Sequence, residues 1–557
     1  MPLPIRLARP TALALVGLLA LTACTGITPV KSAVKTSDPD AALTVIDAEN
    51  DRDASVATSR ELFDASPVVV IAPTGDPNTQ ELAARTAIGL GVPLLIGDAG
   101  KGSTSDEATV PEAEPESHPT AALVSELKRL GTTTVLVIGN VAPVLEGAGP
   151  DLTVKHVEAT ARAVSKATGL DLGPAATEDP AGFAAGLAAQ EVAAVRSSAS
   201  PAAAIRRPQR APPLKDTVAL AVDNTAHLGS IATARAAGVP VRLLPAASAN
   251  PQAHASVVEA LHASTATRTL ALGAEFAAQP ALDWKIRTAR SGTQLPGGGQ
   301  LLFPQHQFVA LYGTPSTGVL GVLGEQNAAA TVQRARDVAA PFEALTEKTV
   351  VPMFEIIATV AAAGAGKDGN FSNELPVDEL RPFVDAAAAA GMYVVLDLQP
   401  GRTDFLTQAK LYQPLLELPN VGLALDPEWR LGADQVPLRQ IGSVSASEVN
   451  TVTTWLADLT NEKGLPQKMF VLHQFRPAMV SDRLSLDLSR PEIAVLIHAD
   501  GQGGQGDKQA TWANLHRDAP AGVHWGWKNF YDEDLPVLTP EQTMRAVSPA
   551  PDLITYQ

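Results

Sequence analysis

The sequence predicts an α/β protein in two parts, an N-terminal duplicated α/β region built on parallel sheet and a C-terminal (β/α)8 TIM-like barrel. Two observations carry that prediction. A strand-helix-strand phrase near residue 70 returns about 150 residues later, the mark of internal duplication. Beyond Phe308, strand-like apolar runs alternate with helical patterns often enough to close a barrel of roughly 250 residues.

The chain opens with a short positive stretch, Met1 to Arg9, followed by an almost unbroken apolar run from Thr11 to Ala23. That layout is a signal peptide, and the run is about half the ~20 residues a spanning helix needs. It closes in Leu21-Thr22-Ala23-Cys24, where Cys24 is the single cysteine of the chain. This resembles the lipobox of bacterial lipoproteins. The resemblance implies that the Cys24 thiol carries a diacylglyceryl group and becomes the mature N-terminus, and two acyl chains satisfy the two-signal rule for stable anchoring. With one cysteine, no intramolecular disulfide forms.

Residues 1–23 are therefore expected to be signal peptide and 24–60 a lipidated flexible tether rich in Thr, Ser, Asp and Ala. From 61 to 198 the first α/β unit runs through Val68 to Ala72, a helix over Asn78 to Leu90 and a strand ending at Ile96. Residues 199–213 are an Ala/Pro/Arg-rich linker, and Gly100 to Pro119 is an acidic surface insertion. A second unit, 214–295, repeats the pattern with Val218 to Val222, a helix over Leu228 to Ala237 and a strand ending at Leu244. Ala121 to Leu127 leading to Thr134 to Gly139 matches Ser256 to Leu261 leading to Thr269 to Gly273. Gly91-Val92-Pro93-Leu94-Leu95, Leu127-Lys128-Arg129-Leu130-Gly131 and Val135 to Gly139 resemble the type 2 cell-wall-binding repeat of Gram-positive surface proteins. In that family the repeats dock onto anionic wall polymers. The strongest basic run of this region is Arg206-Arg207 with Arg210, in the linker.

The barrel is expected over 300–557, with strands at Phe308 to Tyr312, Val350 to Ile357, Met392 to Leu398, Val421 to Leu425, Met469 to Leu472, Ile493 to Ile497, Val523 to Trp527 and Leu553 to Tyr556. Helices are expected at Ala328 to Leu345, Val377 to Ala390, Ser447 to Glu462 and Lys508 to Arg517. Barrel chemistry sits where strands end, and acids and imidazoles recur there: Glu355, Asp397, Asp426 with Glu428, His473 with Gln474, His498 with Asp500, and His524 with Lys528. Strand alternation would put Asp426 with Glu428, and His498 with Asp500, on common faces.

Glycoside hydrolysis needs two carboxyl groups, one a proton donor and one a nucleophile or base. Asp426 or Glu428 fits one role, and Glu355, Asp397 or Asp500 the other. Only 4% of the chain is aromatic, so Trp429, Trp525, Trp527 and Tyr531 at the rim are informative as sugar-stacking candidates, with His473, Gln474, His498 and Lys528 as further ligand contacts. The closing stretches Asn529 to Asp534 and Leu553 to Gln557 resemble the ends of glycosidase-like barrels on actinobacterial lipoproteins, which implies a polysaccharide-facing role.

Two other readings stay open. One is a barrel that binds wall glycan or a protein without catalysis. The other is a metal-dependent phosphodiesterase using His473, His498, His524, Asp500 and Glu355, although no His-Glu-x-x-His spacing supports a metal. Gly501 to Gly506 lacks the Lys-Ser/Thr of a phosphate loop and reads as a loop or lid. A net charge of −17 argues against nucleic acid. The expectation is a lipoprotein on the outer face of the cell membrane, held by lipid on Cys24 and facing an envelope polysaccharide, with no cofactor and no metal.

Overall fold

The structure, a computed structural model, describes residues 33–100, 118–142, 151–189, 205–246 and 248–557. Cys24 and the signal segment, most of the acidic insertion and the first part of the linker lie outside the described residues. No described helix is long and apolar enough to cross a membrane.

The N-terminal half holds two four-stranded parallel sheets of matching order. One runs Leu94–Gly97, Val68–Pro73, Thr134–Ile138, Thr153–Val157; the other runs Val241–Leu244, Thr217–Val222, Arg268–Leu272, Leu43–Ile46. The first three positions are the duplicated phrase. The fourth is filled differently: Thr153–Val157 follows its neighbours in sequence, whereas Leu43–Ile46 precedes the whole duplication. This corrects the expected tether. Regular structure starts well before Arg60, with strands at Lys35–Thr36 and Leu43–Ile46 and a helix at Asp51–Leu62, N-capped by Asn50. A Thr/Ser/Asp-rich composition hid them because Ser55, Thr58 and Ser59 are buried and hydrogen-bonded. Such residues read as solvent-facing only when no partner is visible.

Helix Asp51–Leu62 and helix Leu228–Ala236 join the two sheets into one core that includes Val70, Ile88, Leu95, Leu136, Ile231 and Leu270. Strand Leu94–Gly97 is an edge strand whose free backbone groups are taken by side chains. Thr233 bonds both Leu94 N–H and C=O at 3.1 Å, and Ser55 accepts from Ile96 N–H at 3.0 Å. An edge closed this way offers no template for another strand. The linker arginines are also engaged. Arg207 donates to Thr168 O at 2.8 Å and Arg210 to Ile88 O at 2.7 Å, each meeting carbonyls in the last turn of a helix.

The C-terminal half is a closed barrel of eight parallel strands: β1 (His306–Gly313), β2 (Thr349–Ala361), β3 (Tyr393–Leu398), β4 (Val421–Leu425), β5 (Lys468–Gln474), β6 (Ile493–Ala499), β7 (His524–Asn529) and β8 (Leu553–Tyr556). Closure comes from β1 pairing with both β2 and β8. Asn327, Asp404, Ser445 and Thr539 cap the helices that follow β1, β3, β4 and β7. Between β5 and β6 the chain makes only 3-10 turns and a two-residue strand.

Alternation sorts each strand into two faces. Phe308, Ala310, Val351, Met353, Tyr393, Val395, Ala424, Met469, Val471, Ala494, Leu496 and Leu553 fill the inside, with Leu295, Leu302 and Phe303 packed against them. Val309, Leu311, Phe354, Ile356, Leu396, Leu423, Phe470, Leu472 and Ile554 face the helices. Between its two ends the inward row of each strand is apolar or glycine, and the site lies where those rows turn polar at the C-terminal end.

Candidate functional site

Continuing each inward row by two residues brings one polar side chain from every strand to the C-terminal end of the barrel: Tyr312, Glu355, Asp397, Asp426, His473, His498, Lys528 and Thr555. All eight are buried, none more than 4% exposed. Asp500, one position past β6, joins them.

His473 is the hub. Its Nε2 lies 2.8 Å from Glu355 Oε1 and 3.8 Å from Asp397 Oδ1, and its Nδ1 lies 3.1 Å from Asp500 Oδ2. Thr555 donates to Glu355 Oε2 at 3.1 Å, and Tyr312 donates its hydroxyl to Asp397 Oδ2 at 2.8 Å. Lys528 Nζ is 3.0 Å from Asp500 Oδ1 and 3.5 Å above the Tyr312 ring. The cation is thus divided between a carboxylate and an aromatic face.

This geometry divides the acids into two classes. Burial alone would raise Glu355, but the charge and hydrogen bond of His473 bring it down to about 2. Asp500 is held well below the usual carboxylate range, because Lys528 and His473 outweigh its burial. Asp397 is pushed up to about 6 by burial, which outweighs His473, with the Glu355 charge adding to the rise. Asp426 is raised well above the ordinary value by burial and then by Asp397, and Glu428 is raised by burial and then by Asp500. His473 is raised despite its burial, since Glu355 and Asp397 favour the imidazolium. Burial lowers His498 to about 3, so it is neutral. Environments that drive neighbouring acids apart are how acid and base roles are assigned.

Glu428 does not share the inward face by strand alternation. Leu425 ends β4, and Asp426 caps a 3-10 turn over Pro427–Trp429, accepting from Glu428 N–H at 3.1 Å. Glu428 and Trp429 are half-buried on that turn. Gln474, one residue past His473, takes the opposite parity and bonds weakly to Arg476 O and Pro477 O, at 3.3 and 3.4 Å.

The expected rim position of two tryptophans is corrected. Trp527 alternates with Lys528 and packs outside the barrel against Trp512 of helix Gln505–His516, while Trp525 stacks on His516 at 3.5 Å. His524 starts β7 at the opposite end of the barrel from Lys528; it stacks on Phe303 at 4.1 Å and lies 3.3 Å from Asp552. Tyr531 stacks on Tyr556 with ring centroids 5.5 Å apart and is 40% exposed. Sequence reasoning missed Tyr312 and Thr555. The parity of Phe308 and Ala310 on β1, and of Leu553 on β8, would have pointed to both.

Gly526 has a specific steric role. A Cβ there would stand 2.3 Å from His498 Cδ2, so the absence of a side chain admits the imidazole. Gly526→Ala is expected to lower stability by about 1–3 kcal/mol through overpacking, read as a reduced urea midpoint with unchanged slope.

Behind the site, Lys508 ties two loops together. Its Nζ lies 2.9 Å from Asp534 Oδ2 and donates to Gly501 O and Lys528 O at 2.6 and 2.8 Å, while Asp534 also accepts from Gly503 N–H and Phe530 N–H. The glycine-rich segment therefore runs straight into helix Gln505–His516 and is pinned at Gly501 and Gly503. Lys508→Met retains an unbranched apolar side chain but removes the ammonium from Asp534 and from the Trp527 ring, and should cost about 1.5–3 kcal/mol in urea unfolding.

Among the described residues, Glu355, His473 and His498 could hold a metal ion, each offering one ligand atom within 4.8 Å of the others.

No family model matches the sequence, and no curated protein is similar to it. Among solved structures, the chain is similar to Cwp6 from Clostridium difficile, at 13% identity and TM-score 0.32 over 65% of this chain and 63% of that one. It is also similar to Cwp8 from Clostridium difficile, at 13% identity and TM-score 0.18 over 76% of this chain and 52% of that one. The chain thus spans less than two thirds of either protein. At these levels of superposition neither likeness bears on fold or function.

Proposed function

We propose that this protein is an envelope-facing lipoprotein whose barrel hydrolyses an envelope polysaccharide. The observation that carries the reading is a single polar layer at the strand ends in which burial and neighbouring charges push the carboxyl groups in opposite directions, Asp426 up and Asp500 down. Asp426, its carboxyl pushed well up by burial and then by Asp397, serves as proton donor, with Glu428 beside it on the same turn. Asp500, held ionised by Lys528 and His473, serves as the second carboxylate. Among the ionised acids of the layer it is the more accessible, with 12% of its side chain exposed against none for Glu355. Trp429 and Tyr531 are the aromatics placed for sugar contact, since Trp525 and Trp527 are used in packing. The envelope setting rests on the lipobox-like Cys24 segment and on the repeat-like N-terminal phrases.

A second reading has its own support. Glu355, Asp397, His473 and His498 are fully buried, which suits a barrel that binds wall glycan through its loops without cleaving it. The placement of His524 at the far end removes one ligand from the metal-dependent phosphodiesterase alternative.

Release of reducing sugar from purified wall polysaccharides, measured beside the double variant Asp426→Asn with Glu428→Gln, separates these readings. Release lost in the variant supports hydrolysis at strand 4. Retained release moves the carboxylates elsewhere, and no release from any polymer alongside measurable wall binding favours the non-catalytic reading.

A further inference from the structure

A (β/α)8 barrel ordinarily follows every strand with a helix that covers its outer face. The segment from Phe475 to Glu492, between β5 and β6, does not form one. Its Val480 and Leu486 still seal the outward Phe470, Leu472 and Val495, so the core is closed. A turn is thinner than a helix of ~10 Å diameter, and the barrel flank keeps a trough where the fifth helix would lie. The trough consists of two cavities of about 770 and 710 Å³ that share Asp482 and Ser485 as lining.

One wall is helix Ala446–Glu462. Its Val449, Val452, Leu456 and Leu459 pack into the barrel core, while Ser447, Thr451, Thr454 and Trp455, three or four residues apart, form one stripe along the trough. The three hydroxyl residues are exposed and Trp455 is half-buried. Across from them stand Ser481, Asp482 and Ser485, with Asn514 of helix Gln505–His516 beyond. Hydroxyls, an amide and a carboxylate around a single indole match a sugar chain, which needs hydrogen-bond partners for its hydroxyl groups and a flat apolar face to stack on. They do not match a helix from another protein, which lays an apolar face into an apolar groove. Leu406, Val480 and Leu484 are the only branched aliphatic residues of the lining, and Val480 is buried beneath it.

The trough starts at the mouth of the barrel. Its upper end at Ser445 to Ser447 follows directly on the loop that holds Glu428, where Gly442 N–H donates to Glu428 O at 2.7 Å and Arg430 pairs with Glu448 at 3.0 Å. The opposite wall begins at Pro477, just past the end of β5 at Gln474. From Ser445 to Asp458 the helix carries the trough about 20 Å down the flank, at ~1.5 Å per residue. We infer that this trough is a second binding site for the polysaccharide, gripping the part of the chain that extends beyond the polar layer, with Trp455 as its stacking platform. The inference rests on the envelope-polysaccharide reading and adds to it that the substrate is a long chain.

The test measures binding of purified wall polysaccharide to the whole protein carrying Asp426→Asn with Glu428→Gln, so that no chain is cleaved. Adding Trp455→Ala is expected to weaken binding by about 10–30-fold, the range for a lost aromatic anchor. With the catalytic pair intact, Trp455→Ala should raise KM for the polymer by a similar factor and leave kcat unchanged. On fragments of two or three sugars, cut from the polymer by acid, the rate of sugar release should not change. Thr451→Ala with Thr454→Ala removes two hydroxyls at exposed positions where Ala favours the helix, and should weaken polymer binding without loss of stability. That pair decides the matter if Trp455→Ala does not fold. Sugar release with polymer binding unchanged in both variants would overturn the trough and leave hydrolysis standing. Binding that depends on Trp455 without any sugar release would keep the trough and remove hydrolysis, and a chain that binds no polymer overturns both.

Discussion

Replacing Asp426 by Asn is expected to lower the rate of polysaccharide hydrolysis by about 10²–10⁴-fold, the range for a lost general acid. Asn matches Asp in size and can still accept from Glu428 N–H, so the 3-10 turn after β4 should persist. What it cannot do is deliver a proton to a leaving oxygen. The loss should therefore fall on kcat with little change in KM, and it should shrink for substrates whose leaving group needs no protonation. Equal loss on activated and unactivated substrates would count against Asp426 as the acid. Asp500→Asn gives the complementary result: loss on both substrate types, because the ionised carboxylate acts on the sugar and not on the leaving group.

His473→Leu should be the most destabilising single change in the barrel, at about 3–5 kcal/mol, the range for removing one partner of a buried charge cluster. Glu355 would retain only Thr555, and Asp500 only Lys528. Urea unfolding at neutral pH measures it. A loss below 1 kcal/mol would show that His473 carries no charge in the folded protein.

The same cluster makes stability depend on pH in a predictable direction. Glu355, lowered to about 2, contributes stability above its ordinary range near 4, and this is lost as pH falls toward 2. Asp397, raised to about 6, has the opposite sign: the folded state holds its proton longer, so stability falls as pH rises from about 4 to about 6. His473, raised above its ordinary value, contributes stability below about 6.5 that is lost as pH climbs through its folded value. The contribution of the site should thus peak on the acid side. Asp397→Asn should flatten the decline between pH 4 and 6, followed as Tm against pH.

Much of this architecture was legible in the sequence, for identifiable reasons. The eight barrel strands read as short apolar runs because both faces of each are buried, one against the interior and one against helices, and such runs stand out from their polar connections. The inward acids were visible because a carboxylate ending an apolar run breaks the pattern. Helices such as Val377–Ala389 and Ala446–Glu462 were bounded by their own periodicity, the second also by its Ser445 cap.

Other features had no local signature. Leu43–Ile46 lies in a polar stretch and becomes a strand only because Arg268–Leu272 offers a free edge more than two hundred residues away. Trp525 and Trp527 sit in a strand-end phrase that looks like a rim, and only the parity set by Lys528 turns them outward onto Trp512. By itself, the sequence determined the alternation of strand and helix, the duplication, and which residue types close each barrel strand, since these follow from periodicity within a few residues. Tertiary structure alone decided that Glu355, Asp397, Asp426, His473, His498, Asp500 and Lys528 meet in one layer, and in which direction each acid is shifted. Those outcomes depend on barrel closure and shear, and on the burial and neighbouring charges that closure brings within a few ångströms.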